Sequence, residues 1–359
     1  MVDEKLDDLR SKIDDLDLRI LDLLNQRMTL SLEIGSLKAA EKQNAVDRVR
    51  EEEIIRRLAE HNAGPILHET LVAVYQEIFS GSRALQTSLT IAYLGPPGTH
   101  THEAALKRFG NSHLFSSCSS VKEVFDEVDR ATADFGVVPV ENSIEGSVRE
   151  TLDSLMTSRI GICGEISLRI RHALMNLSGK TEDIRLVVSH PQALAQCRQW
   201  LNRRLPEIPV QETSSTAKAA EMTLRDSGTA AVANESVAKR LGLHIISGDI
   251  QDMPENFTRF LVLGALKSAA TGRDRTSIVF WTEDRPGALF NILEAFARHN
   301  INLSRIESRP DRGTVPWKYA FFVDLEGHQD EPRVATCLKE IEGLRTMVKI
   351  LGSFPVQAL

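Results

Sequence analysis

The stretch LRSKIDDLDLRILDLLNQRMTLSLEIGSLK, residues 9–38, decides how the N-terminal quarter of the chain folds. Apolar residues recur at Leu6, Leu9, Ile13, Leu16, Ile20 and Leu23, then at Leu30, Ile34 and Leu37, in steps of three and four. That spacing is a heptad seam on one long helix. Residues 1–63 hold a single glycine, Gly35, and no proline, so little in the local sequence interrupts it. At 1.5 Å per residue, roughly 35 residues make a rod of about 50 Å, longer than a small domain is wide. Such a rod cannot bury its stripe alone, and a partner helix or a second subunit is expected. Two further helices are expected over 45–61, ended by Gly64-Pro65, and over 66–86.

The seam is interrupted once. Counting on from Leu23, its next position is Arg27, and a guanidinium on an apolar face is costly unless paired. It is either a register-setting polar residue or part of an anion site. Lys38 follows eleven residues later, placing both cations on one face about 16 Å apart. Asp47, Arg50 and Glu51 come from the second helix, and Ser82 and Gln86 share one face of the third. Arg10 points about 100° away round the first helix, toward a neighbouring site on a partner. Several cations with neutral donors in a helical bundle describe a pocket for a small polyanion.

With EIGSLK, DRVRE and a final helix ending SRALQ, this arrangement resembles the all-helical chorismate mutase family, an intertwined dimer. The resemblance implies that Arg10, Arg27 and Arg50 hold substrate carboxylates, Arg10 serving the other subunit's site. It further implies that Lys38 and Gln86 hydrogen-bond the ether oxygen, that Asp47 and Glu51 meet the substrate hydroxyl, and that Ser82 adds a carboxylate or backbone contact. Arg48 stands where the family usually has a proline. Rearranging chorismate to prephenate needs no acid, base or cofactor, only a held conformer and stabilised charge on the ether oxygen.

From Ser88 the pattern changes to strand-like runs (89–94, 135–140, 185–189, 229–233, 259–263) alternating with helix-like ones, which predicts α/β layers with parallel strands. The length suits two lobes around a cleft. Leu94 to Thr99, VPVENS (138–143), SHPQALAQC (189–197) and Ser215-Thr216 place polar residues after strands, where α/β sheets build sites. His190 alone reads more readily as a surface-turn histidine.

Together with PENFTRF (254–260) these stretches resemble the prephenate dehydratase family. The resemblance implies two lobes like those of type II periplasmic binding proteins, with Thr258 catalytic. It implies a cleft lined by Gly98, Thr99, Glu141, Asn142, Ser143, Ser189, His190, Gln196, Ser215, Thr216, Asn256, Phe257 and Arg259. The reaction expels carbon dioxide and the ring hydroxyl, so it needs a proton donor at that hydroxyl and partners for two carboxylates.

After AATGRDR (269–275), a linker-like stretch, the order strand, helix, strand, strand, helix, strand is that of a ferredoxin-like βαββαβ unit. Its PGAL (286–289) and ESRP (307–310) resemble the ACT regulatory domain of prephenate dehydratases. The resemblance implies a phenylalanine site from Gly287, Ala288, Leu289, Asn302, Glu307, Ser308 and Arg309, phenylalanine acting as an allosteric inhibitor. The expected organisation is therefore a helical mutase domain over 1–87, an α/β dehydratase domain over 88–267 and an α+β ACT domain with its linker over 268–359.

Composition bounds the rest. With 42% hydrophobic and 26% charged residues and a net charge of −7, the 359-residue chain is too acidic for a dedicated nucleic-acid binder. No run approaches the roughly 20 apolar residues of a membrane span, and MVDEKLDDLR lacks a signal-peptide profile. Four scattered cysteines without a CxxC pair indicate neither a disulfide framework nor a metal site. The expectation is a cytoplasmic homodimer or higher oligomer acting on chorismate and prephenate, with no metal, no cofactor, no nucleic acid and no membrane partner. Two other readings stay open: an arogenate dehydratase fused to the mutase, and a binding sensor with a dimerisation rod.

Overall fold

The heptad stripe produces one uninterrupted helix, α1 (Val2–Ala40), followed by α2 (Arg48–His61) and α3 (His68–Gln86). The computed structural model describes residues 2–40, 48–86, 88–310, 319–344 and 346–356, with side chains except at 2–4, 38–40, 48, 49 and 52. These helices, with Leu106–Leu114, form one unit; Ile91–Ala105 with Phe115–Leu359 forms the other. The stripe of α1 is left open within the chain, with exposures running from 44% at Leu6 to 69% at Leu37. An apolar face of that length needs a cover.

The second unit holds three sheets. The chain first lays down β1 (Thr90–Leu94), α4 (His100–Phe109), β2 (Leu114–Cys118), α5 (Val121–Asp129), β3 (Phe135–Asn142), β4 (Gly146–Ser147), α6 (Arg149–Thr157) and β5 (Gly161–Arg169). It then crosses to β6 (Ala173–Asn176), β7 (Leu186–Ser189), α7 (Pro191–Gln196), α8 (Arg198–Arg204), β8 (Val210–Glu212), α9 (Thr216–Thr223), β9 (Thr229–Ala233), α10 (Glu235–Leu241) and β10 (His244–Ser247). It returns as β11 (Phe257–Gly264) to the middle of the first sheet, whose order is β2-β1-β3-β11-β5. The second sheet runs β10-β6-β9-β7-β8.

Two lobes joined by two crossings result. The crossings pair with each other: Ile170 N–H donates to the Asn256 carbonyl (2.7 Å) and Ile250 N–H to the His172 carbonyl (3.0 Å). Both lobes depart from the all-parallel expectation. In the second sheet β7 is parallel to β8 and β9, while β6 runs antiparallel to β9 and β10. In the first, β1 and β3 are parallel while β11 runs antiparallel to both β3 and β5. A strand returning from the other lobe enters the sheet from the opposite end, and this reverses its direction.

The remainder is β12 (Asp274–Trp281), α11 (Ala288–Arg298), β13 (Leu303–Pro310), β14 (Tyr319–Glu326), α12 (Pro332–Gly343) and β15 (Met347–Pro355). Its antiparallel sheet, β13-β14-β12-β15, carries both helices on one face through Ile292, Phe296, Val334 and Ile341. The other face, with Trp281, Phe322 and Phe354, joins the core of the first lobe. Each fully buried aromatic there stabilises by about 1.5–3 kcal/mol. Gly352 lets β15 approach β5, since a Cβ at that position would lie 2.0 Å from the Ile162 carbonyl oxygen. Among the described residues no helix is long and apolar enough to cross a membrane. Nor do their His, Cys, Asp and Glu side chains form a metal-holding group.

Candidate active sites

In the helical unit, Arg27 donates to the Ser82 hydroxyl (2.6 Å) and lies over the Phe79 ring, 5.3 Å from its centroid. Gln86 donates to the Ser31 carbonyl (2.7 Å), which ties the end of α3 to α1. Gly35 sits at this crossing, where a Cβ would lie 2.6 Å from Cγ of Gln86. Arg27, Ser82 and Gln86 are thus brought together between two helices. Glu51 pairs with Arg83, a cation the sequence reading did not single out, although it lies one residue beyond Ser82. Arg10 and Arg50 are exposed and bridge Asp7 and Glu53 on their own helices. Asp47 and the Lys38 side chain lie outside the described residues.

The tight crossing gives a first expected result. Gly35→Val displaces Gln86, and misplacing a site group by about 1 Å can cost on the order of 10²-fold in rate. Chorismate consumption is therefore expected to fall by one to two orders of magnitude with dehydratase turnover unchanged. Wild-type mutase kinetics in this variant would remove Gln86 from the site.

In the α/β unit, cross-strand register decides which groups meet. Thr258 lies opposite Asn142, and Arg259 opposite Glu141. Successive residues of a strand face opposite sides, so these two pairs are separated by the sheet. On one side Asn142 Nδ2 donates to Thr258 Oγ1 (2.8 Å) and to Asn256 Oδ1 (2.8 Å). Asn256 Nδ2 donates to Gln196 Oε1 (3.1 Å), and Gln196 Nε2 reaches Glu145 Oε1 (3.1 Å). Gln196 belongs to the second lobe, and this side is therefore where the lobes meet.

Glu141 and Arg259, expected in the cleft, are on the other side of the sheet, and this corrects the sequence reading. The Arg259 guanidinium bonds Glu165 (2.8 Å) and Asp324 of β14 (2.6 Å). Glu141 stands near Arg259 and Arg305, at 3.9 and 3.5 Å. NFTRF reads as one motif, yet alternation splits it between two faces.

Other expected cleft residues have local structural tasks. His190 caps α7, its Nδ1 accepting from Gln192 N–H (3.3 Å), and Pro191 starts that helix. Ser215 caps α9 by accepting from Lys218 N–H (3.0 Å), so Thr216 opens the helix. Ser189 is fully buried and donates to the Val232 carbonyl (2.5 Å). The Ser143 hydroxyl accepts from Phe257 N–H (3.0 Å). Thr99 donates to the Leu94 carbonyl (3.2 Å). Gly98, at φ +91°, brings the loop against Val237 and Arg240 of the second lobe. All four cysteines are buried and none is in a disulfide, and burial pushes the Cys118 and Cys337 thiols up to about 11, which leaves them poor nucleophiles.

In the last segment Gly287 is left-handed (φ +82°) and starts α11, with Ala288 buried and Leu289 packed on the helical-side core. Asn302 donates to Glu326 (2.8 Å). Alternation along β13 sends Arg305, Glu307 and Arg309 to the first lobe and leaves Ser308 on the other face. Arg309 bridges Asp153 of α6 (2.7 Å), and Glu307 bonds Ser147 and Arg305. Lys349 donates to the carbonyls of Leu155, Met156 and Ser158 at the end of α6 (2.8, 3.1 and 2.6 Å).

Comparison with known proteins follows this division. Family models described as chorismate mutase type II, prephenate dehydratase and ACT domain match residues 9–87, 91–268 and 276–343. A bifunctional chorismate mutase/prephenate dehydratase of Aquifex aeolicus is 46% identical over 356 residues, 98% of each chain. An arogenate dehydratase/prephenate dehydratase of Arabidopsis thaliana is 36% identical over 348 residues, 92% of this chain and 88% of that one. The solved prephenate dehydratase of Arthrobacter aurescens, in complex with L-Phe, superposes with a TM-score of 0.69 at 35% identity, covering 75% of this chain and 90% of the other.

Proposed function

The chain belongs to the bifunctional chorismate mutase/prephenate dehydratase family, and from that premise we propose how its residues divide the two reactions. Chorismate is rearranged to prephenate in the helical unit. Prephenate is then decarboxylated and dehydrated to phenylpyruvate where the two lobes meet, and phenylalanine sensed by the ACT segment inhibits the second step. The division follows residues 1–87, 88–267 and 268–359.

In the mutase step Arg27 and Arg50, with Arg10 from the other subunit, hold the two carboxylates in the reactive conformer. Lys38 and Gln86 stabilise negative charge developing on the ether oxygen, while Asp47, Glu51 and Ser82 complete the pocket. The open stripe of α1 supports a homodimer in which two such rods cover each other.

One observation carries the dehydratase assignment: Asn142 donates to Thr258 Oγ1, so the hydroxyl accepts that bond and its own proton is free to be donated. Accepting a bond also makes that proton a better donor. In the reaction the bond from the ring carbon to its carboxylate breaks and releases carbon dioxide. The electron pair enters the ring, and the carbon–oxygen bond at the ring hydroxyl breaks. Thr258 passes its proton to the departing hydroxyl, which leaves as water, while the threonine oxygen takes a replacement proton from solvent; Asn142, Asn256 and Gln196 fix the geometry. Ser143, Gly98, Thr99 and Thr216, with the Phe257 backbone that Ser143 holds, complete the proposed lining of the cleft. Incubating the purified protein with chorismate tests the whole reading: phenylpyruvate should accumulate, and a chain that stopped at prephenate would refute the dehydratase half.

For regulation, Gly287, Ala288, Leu289, Asn302 and Ser308 form the phenylalanine site. Glu307 and Arg309 are engaged with Ser147 and Asp153 of the catalytic lobe. Phenylalanine then competes with those contacts for β13. Asp153→Asn removes the negative charge that pairs with Arg309 without altering the effector site. A partly buried ion pair of about 1 kcal/mol corresponds to a three- to tenfold fall in the half-inhibitory phenylalanine concentration. An unchanged or raised concentration would show that the contact does not oppose effector binding.

A further inference from the structure

The His172 imidazole lies in the first of the two crossings between the lobes and is 2% exposed. Its backbone N–H donates to Gln251 Oε1 (3.0 Å) and its carbonyl accepts from Ile250 N–H (3.0 Å), so both ends of the residue are pinned to the second crossing. Its Nε2 lies 2.9 Å from Gln196 Oε1.

The direction of that bond follows from its neighbours. Gln196 Nε2 faces the Glu145 carboxylate, an acceptor, so the other amide atom is the oxygen. That oxygen already accepts from Asn256 Nδ2. An oxygen can only accept, and therefore His172 Nε2 carries the proton. A neutral imidazole holds one proton, which leaves Nδ1 bare, and Nδ1 is buried with no hydrogen-bond partner among the described residues. Burial first, then the nearby His100, hold the imidazole pKa down to about 4, and the single-proton form persists through neutral pH. The His100 ring packs edge-on against it at 5.5 Å between centroids, and Glu103 Oε2 lies 3.4 Å from His100 Nδ1.

We propose that His172 is a positioning residue for the dehydratase reaction: as a fixed Nε2–H donor in the crossing, it orients the Gln196 amide that joins the second lobe to the Asn256–Asn142–Thr258 chain. The consequence is geometric. Gln196 is the only member of that chain drawn from the second lobe, and His172 and Asn256 both bond its oxygen from the crossings. Losing the His172 donor leaves Gln196 held by two bonds instead of three and frees its amide to turn over.

The inference rests on the dehydratase reaction taking place around Thr258, and wild-type turnover of prephenate checks that premise separately. Three full-length proteins are compared: wild type, His172→Phe, which keeps a planar ring without a donor, and His172→Gln, which restores an N–H at about the same reach. One lost hydrogen bond of about 1–1.5 kcal/mol predicts roughly a tenfold fall in dehydratase kcat for His172→Phe, with KM changed less than threefold. His172→Gln is expected to recover to within about threefold of wild type. Wild-type kcat in His172→Phe, or equal loss in both variants, would overturn the proposal. Nitrogen-15 spectra of the wild-type imidazole supply a readout independent of activity. They should show protonated Nε2 and bare Nδ1 between pH 6 and 8, and the opposite tautomer would overturn it as well.

Discussion

Thr258→Ala is expected to lower dehydratase kcat by about 10²- to 10⁴-fold, the range set by removal of a positioned proton donor. The substitution removes one hydroxyl and one methyl group from a half-buried position on β11. Asn142 loses one acceptor but keeps Asn256 Oδ1 at 2.8 Å and the Phe257 carbonyl at 3.3 Å, so it is not left with an unsatisfied donor. The loss is accordingly chemical rather than structural, and KM for prephenate should move only a few-fold. Thr258→Ser keeps the hydroxyl and should recover most of the lost rate. Mutase turnover in the same preparation should remain at the wild-type level. Near-full dehydratase turnover from a folded Thr258→Ala protein would exclude the threonine from the chemistry.

The parts of this fold that were readable in the sequence are those with a strong local signal. The α1 stripe repeats over many turns, and the βαββαβ order near the C-terminus alternates long, clearly patterned elements. The strands β5 and β6 carried no such signal, because GICGEISLR and ALMN are buried nearly throughout and lose the alternation that marks a half-exposed strand. The direction of β11 was not readable either, since antiparallel entry depends on the crossing from the other lobe. Site residues divide in the same way. Thr258, Asn142 and Gln196 lie in motifs at strand ends or on the following helix, whereas Arg259 and Glu141 share those motifs but face the other side of the sheet. His172 lacked a motif of its own. Only its place in the crossing, beside Gln196, gives it a role, and a partner 24 residues away is invisible to local reading.

Arg259→Met should destabilise the α/β unit by about 3–5 kcal/mol at neutral pH, the usual consequence of deleting one partner from a buried ion pair. The guanidinium sits between Glu165, 6% exposed, and Asp324, 5% exposed. Glu165 keeps a second cation, Arg275, at 2.5 Å, so the uncompensated charge is mainly that of Asp324. In the native protein burial pushes the Asp324 carboxyl up, but the Arg259 cation and the hydrogen bonds from Arg259 and Ser277 outweigh it and hold it below the ordinary carboxylate value. A carboxyl depressed on folding contributes stability that is fully present above its unfolded pKa and is lost as pH falls through the folded one. Without Arg259 only the Ser277 hydrogen bond and the more distant Arg305 cation still hold the carboxyl down; burial, the largest influence, is expected to outweigh them, so the folded pKa rises above the unfolded one and the sign reverses. The variant should then regain stability as the pH falls through that raised value. Urea denaturation at pH 7 and pH 5 should show a gap to wild type that narrows on acidification, and adding Asp324→Asn should close most of it at pH 7. A variant within 1 kcal/mol of wild type, or a gap independent of pH, would show that the cluster does not carry the charge balance assigned to it. Because Arg259 adjoins Thr258 on the same strand while its anchor Asp324 belongs to the ACT sheet, loosening this pair also loosens the catalytic strand from the segment that regulates it. Dehydratase turnover in Arg259→Met should therefore lose phenylalanine sensitivity together with rate, whereas in Thr258→Ala the residual turnover should remain inhibitable.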